Sequence, residues 1–581
     1  MEKEIKYTND KSTLIVLSLL KSHGIKKVVA SPGTTNIALV ASMQQDPWFE
    51  MYSSVDERSA AYIACGLASE SGEPVVITCT GATASRNYFP GLTEAFYRKL
   101  PVLAITGSHG DEETGHLHPQ TLDRRNQPFD TLRMSVAIDR ICEPKDEWST
   151  IVKVNAALLE LKHRSGGPVH INLREATRSG YDTRELPEIR KIERIEGNQK
   201  MPSINAESIA IFIGSHKQFS REEINAIDEF CEKYNAAVFC DHTSGYKGKY
   251  KVLYALTGCQ TQVNISVKAD LLIHLGEVSG DMYSMSKVKG KETWRVSLDG
   301  EIKDLNKNLT YVFELSELDF FNAYNSKRVE KKDTSLFNES IIKYQTLLEM
   351  IPVLPWGNIW CAQQMHNKMP VNSVIHFAIY NSLRSWNFFE LDDSITTNCN
   401  VGGFGIDGPI STLIGASLAN PNRLHYGIVG DLAFFYDLNS LGNRHIGKNL
   451  RILLINNGVG TEFRNYDHPA SAFGEAANQF IAAGGHFGNQ SRLLVRDYSQ
   501  NLGFEYLTAD NKEDFIRQLD KFLSEEISEK PMLFEVFTNT NDESAAIKFM
   551  RTIAPDERTL IEKSVARTKQ IVKSVIKNIK G

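Results

Sequence analysis

The chain has no Cys-x-x-Cys pair and no Cys/His cluster with zinc-ligand spacing; its eight cysteines are scattered through 581 residues. This excludes a disulfide framework and a structural zinc module, and reduced packing cysteines in a cytoplasmic protein are expected. No apolar run approaches the ~20 residues that a membrane span needs. The opening Met1-Glu-Lys-Glu-Ile-Lys6 is charged where a secretory signal carries an apolar core, so none is expected. A net charge of −6 leaves no basic footprint for nucleic acid or an acidic membrane. The middle of the chain lacks Gly-x-Gly-x-x-Gly, and Gly276-Glu-Val-Ser-Gly280 is too weak a turn for a dinucleotide site, so FAD is not expected. No internal repeat is visible as sequence identity.

What is present is a soluble, globular composition, 41% hydrophobic and 23% charged, long enough for three or four domains. Apolar strand-like runs alternate with helical stretches in three blocks, the pattern of βαβ units on parallel sheets. The first block includes Lys27-Val-Val-Ala-Ser31, Val75-Val-Ile-Thr-Cys79, Val102-Leu-Ala-Ile-Thr106 and Val169-His-Ile-Asn-Leu173. It ends near Arg190, and the polar stretch Lys191–Asn205 reads as a linker. The second runs from Ile209-Ala-Ile-Phe-Ile213 to about Leu315, with Ser316–Phe337 as a charged connection. The third holds Val374-Ile-His-Phe-Ala378, His425-Tyr-Gly-Ile-Val429, Arg451-Ile-Leu-Leu-Ile455 and Met532-Leu-Phe-Glu-Val536, and a basic helical tail, Glu557–Gly581, follows.

Chemistry-bearing residues gather at strand ends. Ile428-Val-Gly-Asp-Leu432 and Leu453-Leu-Ile-Asn-Asn-Gly458 each run from an apolar strand into a polar turn, where ligands of open α/β sheets bind. Asp431 and Asn457 supply two hard oxygen ligands, which suits Mg²⁺ shared with diphosphate oxygens and water. Upstream, Ser53-Ser-Val-Asp-Glu-Arg-Ser-Ala-Ala61 places Glu57 where a strand gives way to a helix, and an acid there also suits a first helical turn. Cys79-Thr-Gly-Ala-Thr-Ala-Ser-Arg-Asn87 follows the next strand with small residues that let a ligand approach the backbone, and Ala30-Ser-Pro-Gly-Thr-Thr-Asn36 makes a tight turn after the first strand.

In this order, Ser-Pro-Gly, Asp-Glu-Arg-Ser-Ala-Ala, Gly-x-x-x-x-x-Asn and Gly-Asp…Asn-Asn, the pieces resemble the thiamine-diphosphate (ThDP) enzyme superfamily. Within it the chain is most similar to the 2-succinyl-5-enolpyruvyl-6-hydroxy-3-cyclohexene-1-carboxylate synthases of menaquinone biosynthesis. That similarity rests on Asp56–Ala61, Gly405-Ile-Asp-Gly408, Gly430-Asp-Leu432 with Tyr436-Asp-Leu-Asn439, and Asn456-Asn457. The resemblance implies three doubly wound parallel-sheet α/β domains: pyrimidine-binding over 1–190, central over 200–330 and diphosphate-binding over 340–556, with 557–581 as a tail. It implies a homodimer or homotetramer with active sites at subunit interfaces, and ThDP and Mg²⁺ as cofactors. Glu57 would share a proton with the aminopyrimidine ring, which then deprotonates the thiazolium. Asp431, Asn457 and the carbonyl of Val459 would hold the metal. Backbone around Asn381, Ser382, Gly430, Leu432 and Ala433 would cradle the diphosphate, Ile406 would wedge the cofactor into its bent shape, and Pro32 and Asn87 would complete the pocket. Gln120, with His116 and His118 as added imidazoles, is the catalytic candidate on the loop Gly115–Asp123.

The substrate side departs from those synthases. Thr35, Trp386 and Val401 stand where they carry arginines for substrate carboxylates, each a strong bidentate recognition term. Arg384 lies two positions from one of them, and Glu462 and Arg464 replace apolar and small residues. Together with His109, Phe404 and Phe463 these form the expected substrate set. The expectation is a transferase that decarboxylates a 2-oxo acid and ligates the product to an acceptor other than the menaquinone pair. The alternatives are a non-oxidative decarboxylase, the synthase itself, or a binding protein that kept the fold without the chemistry.

Overall fold

A computed structural model describes residues 5–580 other than 125, 175, 177–178, 198, 329–332 and 486–490. The expected domain border at 330 and the end of the tail at Gly581 lie outside the described residues. The chain forms two compact units, residues 1–197 with 300–314, and residues 198–299 with 315–581.

The first unit holds a six-stranded parallel sheet in the order Glu50–Ser53, Lys27–Ala30, Val75–Cys79, Val102–Ser108, Val169–Arg174, Met134–Ile138. Its inner strand Val75–Cys79 is buried at every position. A strand covered on both faces reads as a continuous apolar run rather than an alternation. Helix Glu57–Ser71 starts where the Asp56 side chain accepts from the Arg58 N–H, and stops at Gly72, whose φ of 68° is left-handed.

The same unit contains a parallel pair of short strands, Glu193–Glu196 and Leu309–Glu314. The expected linker over Lys191–Asn205 is therefore corrected at its start. Ile192 and Ile195 are buried there, two apolar side chains in a run of charges that outweigh them in composition. Assignment of 309–314 to this unit also departs from the expected continuous middle domain.

The second unit holds two further parallel sheets. One orders its strands Lys251–Leu253, Ala236–Cys240, Ile209–Ile213, Val267–Leu275, Val288–Val296. The other orders them Thr396–Cys399, Val374–Phe377, His425–Gly430, Leu450–Asn456, Met532–Phe537, Glu505–Ala509. Counted in chain order, this last sheet and that of the first unit both run second, first, third, fourth, sixth, fifth. The two ends of the chain thus repeat one topology without a visible sequence repeat. The fold is α/β with parallel sheets, as the alternation of apolar runs and helical stretches predicts.

The tail forms helix Glu557–Lys580, and Arg567 on it reaches Glu349 and Gln345 of helix Ser335–Glu349. Among the described residues, no helix is long and apolar enough to cross a membrane. Six of the eight cysteines, including Cys79 and Cys361, are buried, and all eight are unpaired thiols.

Candidate functional site

In the second unit a cavity of about 470 Å³ opens at the carboxyl ends of strands Val374–Phe377 and His425–Gly430. The strand order reverses between these two neighbours, which makes the crevice the natural ligand site of such a sheet. Asp431 stands at its floor, 4% exposed. One carboxylate oxygen accepts from the N–H groups of Gly458 at 2.6 Å and Asn457 at 3.2 Å, and the other from Leu432 N–H at 2.7 Å. Burial disfavours its charge more than these bonds favour it, and pushes the carboxyl up to about 7.

Beside it, Asn457 Oδ1 accepts from Thr461 Oγ1 and, at 3.4 Å, from Val459 N–H. The Val459 carbonyl belongs to the same turn, which Gly458 makes with a left-handed φ of 88°. Gly460 N–H pins the turn to the Ala482 carbonyl at 2.6 Å. A buried carboxylate, an amide oxygen and a carbonyl, with no lysine or arginine among the described cavity-lining residues, form a hard-oxygen set that a divalent cation would complete. The residues present therefore fit Mg²⁺ and an anionic cofactor headgroup.

Asn381, Ser382, Ile406, Gly430, Leu432, Ala433, Phe404, Glu462 and Phe463 all line this cavity. Two bulky residues on its rim hold positive φ, Tyr380 at 60° and Phe404 at 51°. Such backbone costs of order 1–3 kcal/mol and persists where its surroundings enforce it. Ile406 is partly buried against the cluster of Ile410, Ile414 and Phe434, which fixes its side chain at the wall.

Two expected substrate residues, Trp386 and Val401, are corrected, and the two arginines have partners within the chain. Trp386 has no exposed surface and packs in the core against Phe377, with ring centroids 5.6 Å apart. Val401 joins the same core. Arg464 spends one guanidinium nitrogen on the Gly474 carbonyl at 2.8 Å and Asn478 Oδ1 at 2.6 Å. Arg384 sits behind the wall, its two terminal nitrogens on the two Glu462 oxygens at 2.7 and 3.1 Å and one of them also on Asn381 Oδ1 at 2.7 Å. Matched sequence positions did not fix these directions, because the turn of helix Asn381–Trp386 aims Trp386 at the sheet.

Sequence reasoning missed Glu543, Asn358 and His468, all on the cavity wall. Glu543 is buried, accepts from Asn358 N–H at 3.0 and 3.1 Å and from Thr538 Oγ1 at 2.8 Å, and is pushed up to about 7 by burial and then by the nearby Asp431 charge. Asn358 Oδ1 is buried without a hydrogen-bond partner. Neither residue lies in a motif. Glu543 reads in sequence as an ordinary acid in the first turn of helix Thr540–Arg551.

In the first unit, Glu57 opens its helix, partly exposed, and accepts from Asn87 Nδ2 at 3.2 Å. Two residues proposed separately from sequence are thus in direct contact. Pro32 is exposed on its turn. Thr35 is buried, with its hydroxyl 2.8 Å from Thr80 Oγ1 and accepting from Gly81 N–H at 3.1 Å, so it closes a turn. That is a correction to its expected substrate role. Gln120, at a φ of 59°, and His116 and His118 lie on an exposed loop, with His118 and His109 facing Glu113 at 3.6 and 3.7 Å.

Residues 12–127 match the family described as thiamine pyrophosphate enzyme, N-terminal TPP binding domain. The 2-succinyl-5-enolpyruvyl-6-hydroxy-3-cyclohexene-1-carboxylate synthase of Bacteroides fragilis is 29% identical over 574 residues, covering 93% of this chain and 98% of that protein. The synthase of Bacteroides thetaiotaomicron is 29% identical over 577 residues with the same coverage. Among solved structures, a Rhodococcus jostii thiamine diphosphate-dependent 4-hydroxybenzoylformate decarboxylase is similar at a TM-score of 0.38 and 14% identity, over 91% of this chain and 99% of that one.

Proposed function

We propose that this chain, a ThDP-dependent enzyme by its N-terminal domain and its relatives, decarboxylates a 2-oxo acid and joins the resulting acyl unit to an acceptor. The observation that carries this reading is the buried Asp431 carboxylate grouped with Asn457 and the Val459 turn in a cavity of cofactor size. When bound, ThDP supplies the electron sink for loss of CO₂.

The chain's own residues do the rest. Asp431, Asn457 Oδ1 and the Val459 carbonyl would hold Mg²⁺, and through it a diphosphate. Backbone at Asn381, Ser382, Leu432 and Ala433 would meet phosphate oxygens. Glu57 would hold a proton at the pyrimidine ring, with Asn87 fixing its carboxylate. Ile406 would support the cofactor from below. Residues 1–190 would bind the pyrimidine and 340–556 the diphosphate, with 200–330, apart from the strand Leu309–Glu314, as the central domain, in a cytoplasmic homodimer or homotetramer.

The synthases' own substrate pair is the second reading, favoured by identity along nearly the whole chain. The absence of lysine and arginine among the described cavity-lining residues speaks for a different pair. Retention of Glu57, Asp431 and Asn457 together speaks against a binding protein without chemistry. Product analysis tests the reading. Enzyme loaded with ThDP and Mg²⁺ is given pyruvate, 2-oxoglutarate or larger 2-oxo acids, with and without carbonyl acceptors. CO₂ release with a ligated product is expected. CO₂ release with only the free aldehyde makes it a simple decarboxylase, and no CO₂ release overturns both.

A further inference from the structure

We propose that Glu462 selects an uncharged, hydroxyl-bearing carbonyl compound as acceptor, and that Arg384 is the clamp that holds Glu462 in place. The inference rests on the carboligation reading and names the acceptor class for that site.

Glu462 lies on the cavity wall, in the turn Thr461–Arg464 that follows the Asn457 loop. Arg384 lies behind it and engages both carboxylate oxygens, a two-pronged geometry that fixes the plane of the carboxylate. Asn465 Nδ2 adds a third bond, to Oε2, at 3.1 Å. Burial alone would push the Glu462 carboxyl up. The Arg384 charge and hydrogen bonds outweigh it and hold the group below its ordinary range, so it stays ionised.

Two consequences follow for a bound molecule. First, both terminal nitrogens of Arg384 are engaged, on Glu462 and Asn381, and the charges of Asp281 and Asp467 also act on it. A substrate carboxylate would have to displace Glu462 to reach it. Second, the wall presents a negative charge. Each carboxylate oxygen has two acceptor sites, and Oε1 takes only one bond from Arg384, so it can accept from a ligand hydroxyl. His468 lines the same cavity as a second polar group. An alcohol gains a hydrogen bond here, while a carboxylate meets like charge.

The test is direct binding to the full chain loaded with ThDP and Mg²⁺, by calorimetry, with succinate as the dianionic probe and 1,4-butanediol as its uncharged hydroxyl counterpart. Wild type is expected to bind butanediol more tightly than succinate. Glu462→Ala exposes both Arg384 nitrogens and is expected to tighten succinate binding by about tenfold or more. Glu462→Asp keeps the charge and should retain the wild-type preference. Adding Arg384→Met to Glu462→Ala should abolish the gain. Tighter binding of succinate than of butanediol by wild type, read without any variant, overturns the proposal. So does a folded Glu462→Ala variant with unchanged succinate affinity. Because these constants need no turnover, they stay readable even if no 2-oxo acid is decarboxylated, and the two failures are distinct.

Discussion

Asn87 donates a hydrogen bond to the Glu57 carboxylate at 3.2 Å, tying the last residue of helix Ala82–Asn87 to the first residue of helix Glu57–Ser71. Under the proposed function this carboxylate holds a proton, and the bond from Asn87 aims it. Asn87 is a positioning residue in this account. Asn87→Ala is expected to lower kcat for 2-oxo acid decarboxylation about tenfold, the scale of one hydrogen bond to a charged group. It should shift the pH–rate profile and leave KM for the donor within about twofold. A variant with an unmoved pH profile would assign Asn87 a purely structural role.

Asp431 and Glu543 give the metal-free protein a pH signature. Burial pushes both carboxyls up to about 7, above their ordinary values. The folded state then binds protons more tightly than the unfolded state between about pH 4 and 7. Their contribution to stability is full below that window and is lost as the pH rises through it. Thermal melts of metal-free enzyme should therefore show Tm falling from about pH 5 to 7.5. Asp431→Asn should flatten the fall, and Mg²⁺ with ThDP should reduce it, because a cation offsets the ionised carboxylates. Identical slopes for wild type and Asp431→Asn would contradict the assignment.

Trp386 is expected to matter for stability alone. Trp386→Ala should cost about 3–5 kcal/mol in urea unfolding, as large-to-small changes in a packed core do. Trp386→Phe should cost less, because it keeps an aromatic ring in the core while removing an indole N–H that is buried without a partner. Neither change is expected to alter the acceptor preference. A changed preference with unchanged stability would return Trp386 to the substrate side.

Much of this was legible in sequence. Apolar runs such as Val75–Cys79 and Leu450–Asn456 have one reading when they alternate with helical stretches, and both are buried parallel strands. Asp431 and Asn457 could be paired because each follows such a run, and the backbone bonds between their turns now show how. Side-chain direction was less legible. Arg384 and Trp386 are two positions apart on one short helix, yet one clamps Glu462 and the other fills the core. Glu543 was hidden for a different reason. Its role depends on burial above the sheet and on Asn358, 185 positions away. The strand Glu193–Glu196 was hidden by its charges, and only its partner Leu309–Glu314 reveals it.

The central claim, that Glu57 manages the proton on which the cofactor's chemistry depends, is tested most directly by CO₂ release from a turned-over 2-oxo acid. Wild type and Glu57→Gln are compared, both saturated with ThDP and Mg²⁺. Glutamine keeps the shape and the contact with Asn87 but cannot exchange a proton. The predicted result is a rate lower by about 10²-fold or more with ThDP still bound. A Glu57→Gln enzyme that releases CO₂ at the wild-type rate would contradict the account.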